Sequence, residues 1–231
     1  MAALGVIEKP DAIVHADTTH ESVLTYEFTK RWTPWLENHG LKIVTVCDEK
    51  AAGKLMDESI QTFIPAFTGS GGQARRQCTE RWKIAPVRRW LQENRNGLQV
   101  RQIMGISLDE FQRMRDSDVK YITNVYPLID MRMTRADCVK WLTENNLEVP
   151  QKSACSFCPY HNHSMWRDVK AVPQDWYKAV KVDEHIRNLR QPESLYLHPS
   201  RKPLKEIDFR TPQEKGQLEL WNSECQGVCW V

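Results

Sequence analysis

The stretch DAIVHADTTHESVLTYEFTKRWTPWLENHGLKIVTV, at residues 11–46, decides the fold class. It begins with a continuous apolar run up to Asp17, and a second apolar run follows at 41–46. Between the two runs, apolar side chains recur at roughly helical spacing, and His39-Gly40 predicts the end of the helix. Strand, helix and strand with short connections form the βαβ pattern, which implies a parallel sheet. Because the first run does not alternate, we expect its strand to be buried on both faces.

The same signals continue along the chain. They predict a loop over residues 61–72, a helix over 79–94, a strand over 98–104 and a helix over 175–189. Pro86 is expected early in its helix or at a kink, because proline removes one backbone hydrogen bond. Thr134 and Asp137 have the spacing of a capping box, which predicts the start of another helix.

Composition excludes several classes of protein. The chain has 231 residues, 41% of them hydrophobic, which is enough for a packed core in one domain of ordinary size. No apolar run reaches the roughly 18 residues that a membrane span needs, and the first residues lack the pattern of a secretory signal. We therefore expect a soluble, cytoplasmic protein that does not insert into a membrane.

Basic residues concentrate in one stretch. From Arg75 to Arg101 there are eight Arg or Lys residues and two Glu, a local balance of +6. A basic cluster beside a glycine-rich loop suits a phosphate, a sulfate or a nucleic-acid backbone. A solvated helix face is the equal alternative.

The cysteine pattern predicts metal or redox chemistry. Seven cysteines, an odd number, without an export signal favour a reducing compartment over disulfides. Four of them form two close pairs, Cys155-x-x-Cys158 and Cys225-x-x-x-Cys229. Pairs at this spacing are metal ligands or redox thiols more often than structural bridges.

Polar residues near the predicted strand ends and the first cysteine pair form an ordered set. In chain order the set is Asp17-Thr18 with Glu21, Arg76-x-Cys78-Thr79 with Lys83, Gly105-Ile-Ser107 with Glu110 and Arg113, Tyr126-Pro-Leu128, and Cys155-x-x-Cys158-Pro-Tyr160. With these residues the chain resembles the phosphoadenosine phosphosulfate reductase-like family of the adenine nucleotide alpha-hydrolase superfamily. It is most similar to the small phage- and bacteria-borne members, from about Pro10 to Val231.

The resemblance implies an α/β fold with a doubly wound, mostly parallel sheet that binds an adenosine nucleotide, ATP or phosphoadenosine phosphosulfate, at its strand ends. Residues 1–170 would form the adenine nucleotide alpha-hydrolase-like domain, and residues 171–231 a helical C-terminal extension and tail. The nucleotide-binding residues that it implies are Asp17, Thr18, Glu21, Arg76, Thr79, Lys83, Gly105, Glu110 and Arg113. Among them, Arg76, Lys83 and Arg113 are expected to neutralise phosphate or sulfate charge.

The chain departs from the family pattern at two places. The family's Asp-Thr-Gly is here Asp17-Thr18-Thr19, so the third position lacks the backbone freedom of glycine. The family's first strand and its Ser-Gly-Gly phosphate loop also have no counterpart before Asp11. We expect the chain to be truncated, with its true start upstream. The alternative is that the chain has lost a central strand and its pyrophosphatase chemistry. It would then be an inactive subunit that needs a partner protein to supply the missing strand. Self-association is a further candidate interaction.

The cysteines are assigned to a metal site. Two thiolates two residues apart can hold one metal from a tight turn, and proline after the second cysteine is typical of iron–sulfur segments. Mainly on the resemblance, we favour an iron–sulfur cluster of the 4Fe–4S type, with zinc as the alternative. The candidate ligands are Cys78, Cys155, Cys158, Cys225 and Cys229.

Cys225 also has a candidate catalytic role. Related sulfonucleotide reductases carry their nucleophilic cysteine in a C-terminal Glu-Cys-Gly segment, and this chain has Glu224-Cys225-Gln-Gly227. A mobile thiolate there could attack sulfur. A ligand role is favoured over this one, and an inert tail is the third alternative. His161 and His163 are expected to be exposed loop residues rather than ligands.

The leading hypothesis is a protein that binds an adenosine nucleotide and acts in sulfur transfer or reduction, or in ATP-dependent nucleotide activation. Nucleic acid is a candidate sulfur acceptor or ligand. The alternatives are a metal-stapled nucleic-acid-binding module and a catalytically inactive subunit.

Overall fold

The computed structural model describes residues 1–49, 56, 63–189, 193–211 and 214–215. Its strands and helices are, in chain order, β1 (Ile13–Ala16), α1 (Val23–Asn38), β2 (Ile43–Val46), β3 (Phe67–Thr68), α2 (Ala85–Asn94), β4 (Val100–Ile103), β5 (Ile122–Val125), α3 (Pro127–Asp130), α4 (Arg135–Glu144), α5 (His163–Ala171), α6 (Pro173–Ile186) and β6 (Leu195–Tyr196). Short 3-10 helices cover Ala2–Leu4, Leu108–Arg113 and Leu204–Glu206, and a π-helical turn covers Glu80–Ile84. The expected mixed α/β class is confirmed.

The chain divides into two units, each assembled from segments that are distant in sequence. The first unit consists of Met1–Asp17, Leu24–Cys47 and Lys83–Ser153. The second unit consists of Thr18–Val23, Asp48–Trp82 and Ala154–Val231. The expected domain boundary at residue 170 stays a prediction.

Residues 11–46 fold as the predicted strand, helix and strand. β1 and β2 pair in parallel, with Ile13 opposite Ile43 and Ala16 opposite Val46. Gly40 has a φ of 76° and donates its N–H to the Glu37 carbonyl at 2.8 Å. A glycine in this left-handed conformation is a common helix C-terminus, because it has no Cβ to clash with the backbone.

The expected burial of β1 is wrong. All four residues of β1 are half-buried rather than buried on both faces. The reason is that β1 pairs with β2 in a sheet of two described strands, so less of its surface is covered than in the interior of a large parallel sheet. α2 packs against both strands.

A second parallel pair belongs to the same unit. The predicted strand at 98–104 is confirmed as β4, and it pairs with β5, with Val100 opposite Ile122. β5 was not predicted, because Thr123 and Asn124 separate its apolar residues, so Ile122–Val125 shows neither a continuous apolar run nor a strict alternation.

The predicted helices are confirmed with small changes at their ends. The helix expected over 79–94 begins as the π-helical turn and continues as α2, with Pro86 in the first turn of α2, early in the helix as predicted. Thr134 and Asp137 form the predicted capping box at the start of α4. The helix expected at 175–189 is α6.

The loop predicted over residues 61–72 is wrong in part, because it contains the strand β3, which pairs with β6; the glycine-rich residues after β3 form a tight turn. The Thr68 carbonyl accepts the Gly71 N–H at 3.1 Å, and the Thr68 hydroxyl accepts the Gly72 N–H at 2.9 Å. Arg201 donates to the carbonyls of Thr68 and Gly71, both at 2.9 Å. Backbone and guanidinium hydrogen bonds therefore define this end of the loop, while residues 61 and 62 lie outside the described part.

The hydrophobic core lies in the second unit. α6 packs against α5, β6 and the 3-10 helix at Leu204–Glu206, and β3 pairs with β6 in antiparallel fashion. The core comprises Phe63, Ile64, Ala66, Trp82, Phe157, Trp166, Val169, Ala179, Val180, Val182, Ile186, Leu195, Leu197, Leu204, Ile207 and Phe209. Burial of this apolar surface is the main stabilising contribution to the unit.

One buried carboxylate ties the core's last segment to α6. Asp183 accepts backbone N–H groups from Leu197 at 3.2 Å and Leu204 at 2.9 Å, and it pairs with Arg187. Removal from water raises the pKa of Asp183, and the three donors act in the opposite direction.

In the part of the chain that the structure describes, no helix is both long enough and apolar enough to cross a lipid bilayer.

Candidate functional site

Residues 18–23 follow β1 in sequence and form a polar turn in the second unit. Thr18 is fully buried and Glu21 is only 4% exposed. The Thr18 hydroxyl accepts the His20 N–H at 3.3 Å and donates to Glu21 Oε1 at 3.5 Å. Threonine directs turns through such hydroxyl-to-backbone bonds. Two of the predicted nucleotide-binding residues, Thr18 and Glu21, therefore lie together.

Cys155 lies against this turn although it is 137 residues away from Thr18 in the chain. Its Sγ is 3.7 Å from the Thr18 Oγ1. The backbone positions the thiol, because Cys155 forms an antiparallel bridge with Glu21 and the Ser156 N–H donates to the His20 carbonyl at 3.1 Å. The structure thus joins the predicted nucleotide turn to the first residue of the cysteine pair.

The three side chains form a short hydrogen-bonded series. A hydroxyl has one proton to donate and two lone pairs to accept. Thr18 donates its proton to Glu21 and accepts from His20, so one lone pair remains for the Cys155 S–H. The arrangement can hold the Cys155 thiol in place. Because the hydrogen bonds are linked through the Thr18 hydroxyl, each one polarises the next, up to the buried Glu21 carboxylate.

The cysteine pair occupies the tight turn that its spacing predicts. The Cys158 N–H donates to the Cys155 carbonyl at 3.0 Å, and the His161 N–H donates to the Cys158 carbonyl at 3.1 Å. Both thiols are half-buried. Two consecutive turns therefore present two sulfurs from one short segment.

Aromatic rings enclose the turn at His20. The His20 ring lies edge-on to Trp82 at 5.0 Å and to Phe157 at 5.1 Å between ring centroids. Trp82 and Phe157 are core residues, and His20 is itself buried. Thr18 is fully buried as well, so its hydrogen bonds are formed away from water, which strengthens them. His20 is not among the predicted site residues, although it stands between Thr18 and Glu21.

α6 anchors the turn through two side chains that the sequence analysis also missed. Asp175 is buried and accepts the Ser22 hydroxyl at 2.6 Å and the Val23 N–H at 3.2 Å. Lys178 donates to the Thr19 carbonyl at 2.7 Å. The sequence predicts Asp175 only as the start of a helix. Its neighbours in sequence do not indicate that it binds Ser22 and Val23, which are 153 and 152 residues away.

Thr19 has an unusual backbone conformation, with a φ of 59°. This is the position at which the resembled family has glycine. A β-branched residue at positive φ places its Cβ against the backbone, which costs roughly 1–2 kcal/mol. The fold therefore keeps a glycine-like conformation at a residue that does not favour it.

Residues 76–79 belong to the second unit as well. The Arg76 guanidinium lies 5.4 Å from the Tyr160 ring centroid. The Cys78 N–H donates to the Phe63 carbonyl at 3.0 Å, and Cys78 packs against the hydrophobic core, as Cys155 does. Thr79 is half-buried at the start of the π-helical turn.

The described residues supply part of the proposed metal site. Cys155 and Cys158 share the tight turn, which fits two ligands of one metal. Within residues 1–49, 56, 63–189, 193–211 and 214–215, no group of three or more His, Cys, Asp or Glu side chains is arranged to hold a metal ion. Cys225 and Cys229 lie outside the described residues, so the catalytic and ligand roles assigned to them stay predictions.

The remaining predicted nucleotide-binding residues belong to the first unit. Asp17 accepts the Tyr26 hydroxyl at 2.8 Å, and its N–H extends the strand by donating to the Val46 carbonyl at 2.8 Å. Arg113 donates to Glu110 at 2.7 Å within the 3-10 helix. Two further predicted nucleotide-binding residues belong to the first unit: Gly105, which follows β4, and Lys83, which lies in the π-helical turn.

The expectation for His161 is wrong. His161 is only 6% exposed, and its ring lies edge-on to Trp166 at 4.8 Å. His163 is exposed but begins α5 rather than lying in a loop. Its ring is 5.2 Å from that of His198, and burial, with the nearby His163 as a smaller cause, lowers the pKa of His198 to about 4.

Comparisons of this chain with protein-family models, with curated proteins and with solved structures found no match in any of the three.

Proposed function

We propose that the chain binds an adenosine nucleotide at the turn formed by residues 18–23 and acts in sulfur transfer or reduction, or in ATP-dependent nucleotide activation. The observation that carries the proposal is the 3.7 Å approach of the Cys155 Sγ to the Thr18 Oγ1. Sulfur chemistry on a nucleotide needs a sulfur ligand or thiol beside the nucleotide-binding residues. This contact places the Cys155 sulfur beside Thr18, one of the proposed nucleotide-binding residues.

The position of the turn in the sequence supports nucleotide binding. In parallel α/β folds, ligands bind at the carboxyl ends of the strands. Residues 18–23 follow the carboxyl end of β1, which pairs in parallel with β2. On this basis we also propose the finer fold of the resemblance, a doubly wound sheet of the adenine nucleotide alpha-hydrolase type.

The proposed cofactor is an iron–sulfur cluster, with zinc as the alternative. Cys155 and Cys158 would hold it, together with ligands from among Cys78, Cys225 and Cys229. Such a group supplies electrons or holds the site's sulfur when it is bound. The chain's own contribution is to fix the Cys155 sulfur beside the buried Thr18 hydroxyl through the backbone bridge between Cys155 and Glu21.

The phosphate or sulfate contacts in the proposal come from Arg76, Lys83 and Arg113, whose fixed positive charge would stabilise a negatively charged transferring group. In the first unit, these assignments rest on the resemblance alone. Nucleic acid as sulfur acceptor, and a partner protein or self-association, belong to the same proposal.

Nucleotide binding is tested by titrating the protein with ATP and with phosphoadenosine phosphosulfate in a calorimeter. Thr18→Val keeps the shape of the side chain and removes the hydroxyl that holds the turn through the His20 N–H and Glu21. We expect it to weaken binding about tenfold, because the turn is no longer held in its binding conformation and each internal hydrogen bond is worth roughly 1 kcal/mol. Thr29→Val is the matched control, because the Thr29 hydroxyl donates only to its own helix, at the Thr25 carbonyl. If the wild-type protein binds neither nucleotide at millimolar concentration, or if both variants bind equally well, the proposal is wrong.

The cofactor is tested by anaerobic purification followed by an absorption spectrum and by iron, sulfide and zinc analysis. An iron–sulfur protein absorbs broadly near about 400 nm, and Cys155→Ser or Cys158→Ser should remove the band. Cys138→Ser is the control, since Cys138 lies in α4 and is not a proposed ligand. One zinc without iron would instead favour the metal-stapled binding module. Absence of both metals would leave only a thiol role for the cysteines.

A further inference from the structure

A groove along α6 combines aromatic and cationic side chains. It has a volume of about 480 Å³ and is lined by residues of α5, α6 and the 3-10 helix at Leu204–Glu206, all in the second unit. Two adjacent aromatic residues, Trp176 and Tyr177, form its wall. Tyr177 is 66% exposed, so a large part of its ring is open to a ligand.

Lysine amines lie over both rings. The Lys170 Nζ is 5.4 Å from the Trp176 ring centroid, and the Lys181 Nζ is 5.6 Å from the Tyr177 ring centroid. These cation–π contacts hold the amines at the wall of the groove. The groove therefore presents positive charge and flat aromatic surface side by side.

A third amine lies at the far end of the groove. Lys205 donates to Glu184 at 2.5 Å, and the same carboxylate is 3.9 Å from the Lys181 amine. Glu184 is the single acidic residue of the lining, so three lysines against one glutamate leave a net charge of +2. The surface is thus complementary to an anion that also has flat, stackable groups.

The length of the groove distinguishes a strand from a single nucleotide. Trp176, beside Lys170, and Glu184, beside Lys205, are eight residues apart on α6, which is about 12 Å along the helix axis. Stacked nucleotides in one strand are about 3.4 Å apart. The two lining positions at the ends of this stretch of α6 are therefore separated by the length of about three to four stacked nucleotides.

We propose that this groove binds single-stranded nucleic acid, with bases stacking on Tyr177 and phosphates contacting Lys170, Lys181 and Lys205. Surfaces of this composition bind single strands by stacking bases on aromatic rings while cations follow the backbone. None of the residues that line the groove belongs to residues 18–23 or to the cysteine pair, so the proposal does not depend on the proposed nucleotide chemistry.

The test is fluorescence anisotropy with a labelled 12-nucleotide oligothymidine, titrated with the full chain at several salt concentrations. Three phosphate contacts predict a slope of about −2 in log affinity against log salt, since each contact to a single strand contributes about −0.7. Tyr177→Ala should weaken binding about tenfold or more, and Tyr177→Phe should retain it, because stacking needs the ring and not the hydroxyl.

Charge variants locate the site. Lys181→Gln should weaken binding and reduce the salt slope by about 0.7. Lys140→Gln removes the same charge from α4, outside the groove, and should change nothing. Arg89→Gln removes one positive charge from the basic stretch between Arg75 and Arg101, and it should also leave binding unchanged.

Three outcomes would overturn the proposal. The first is no binding of the oligonucleotide at low salt. The second is binding that Arg89→Gln removes while Tyr177→Ala and Lys181→Gln leave it intact, which would move the site to the basic stretch. The third is equal competition by poly-glutamate together with no effect of Tyr177→Ala, which would make the groove a general anionic-peptide surface.

Discussion

The two units differ in how their residues are buried. In the second unit, segments from distant parts of the chain share a core that includes the fully buried Phe157 and Trp166. In the first unit, the described buried hydrophobic residues are Leu41, Ile106 and Ile122, and the strand residues of β1 are half-buried. Parallel pairing thus organises the first unit, whereas side-chain packing organises the second. Mutations of equal chemistry should therefore have unequal effects in the two units.

The largest effect is expected from Phe157→Ala. Removing a fully buried phenylalanine leaves a cavity, and we expect the free energy of unfolding to fall by about 3–5 kcal/mol. The matched pair is Val182→Ala in the second-unit core and Val14→Ala in β1, since Val182 is 2% exposed and Val14 is half-buried. We expect losses of about 2–3 kcal/mol for Val182→Ala and about 1 kcal/mol for Val14→Ala. Urea denaturation followed by circular dichroism measures both. Equal losses would contradict the comparison.

The next effect depends on pH and concerns His198. Its native pKa of about 4 lies below the ordinary value of 6.5, so the unfolded chain binds more protons between these two pH values. Stability from this group is therefore present above pH 6.5 and is lost as the pH falls towards 4, by about 3 kcal/mol.

His198→Asn should abolish this part of the pH dependence, because asparagine keeps an acceptor for the Ser200 N–H but does not titrate. The measurement is the difference in unfolding free energy between wild type and variant at pH 7, 5.5 and 4. A difference that does not change with pH would contradict the lowered pKa.

A smaller effect is expected at Asp175, which anchors the turn at residues 18–23. Asp175→Ala leaves the Ser22 hydroxyl and the Val23 N–H without their acceptor, and it should cost about 2–3 kcal/mol. Asp175→Asn keeps one acceptor oxygen and should cost about 1 kcal/mol or less. Chemical denaturation measures the losses. Nucleotide affinity should fall with the alanine variant, since the turn is no longer held, and unchanged affinity would argue against a positioning role.

The smallest effect is a gain in stability at Thr19. Thr19→Gly should raise the free energy of unfolding by about 1 kcal/mol, because relief of the positive φ outweighs the larger entropy of glycine in the unfolded chain. Thr19→Ala keeps a Cβ and should gain less. Thermal denaturation of the three proteins gives the order. A less stable glycine variant would show that contacts of the threonine side chain compensate for the strain.

Local elements were predictable because their signals are local. The βαβ stretch, the capping box of Thr134 and Asp137, and the turn of Cys155 and Cys158 each depend on residues a few positions apart. Periodicity and spacing are sufficient for such features. β5 was missed because Thr123 and Asn124 interrupt its apolar residues, which leaves neither a continuous apolar run nor a strict alternation.

The candidate site was only partly predictable. Thr18, Glu21 and Cys155 were selected individually, and the structure brings them together. His20 and Asp175 were not selected, because a buried histidine or carboxylate has no local mark that distinguishes it from a surface residue. The expected exposure of His161 failed for the same reason.

The sequence by itself determined which segments form strands, helices and turns, and which residues carry sulfur and charge. Only the tertiary structure decided that Cys155 meets Thr18 across 137 residues, that the core belongs to the second unit, and that α6 presents aromatic rings and lysines in one groove. The physical reason is that backbone preferences and side-chain periodicity act over a few residues. Burial and hydrogen bonding, by contrast, depend on which distant surfaces exclude water from each other.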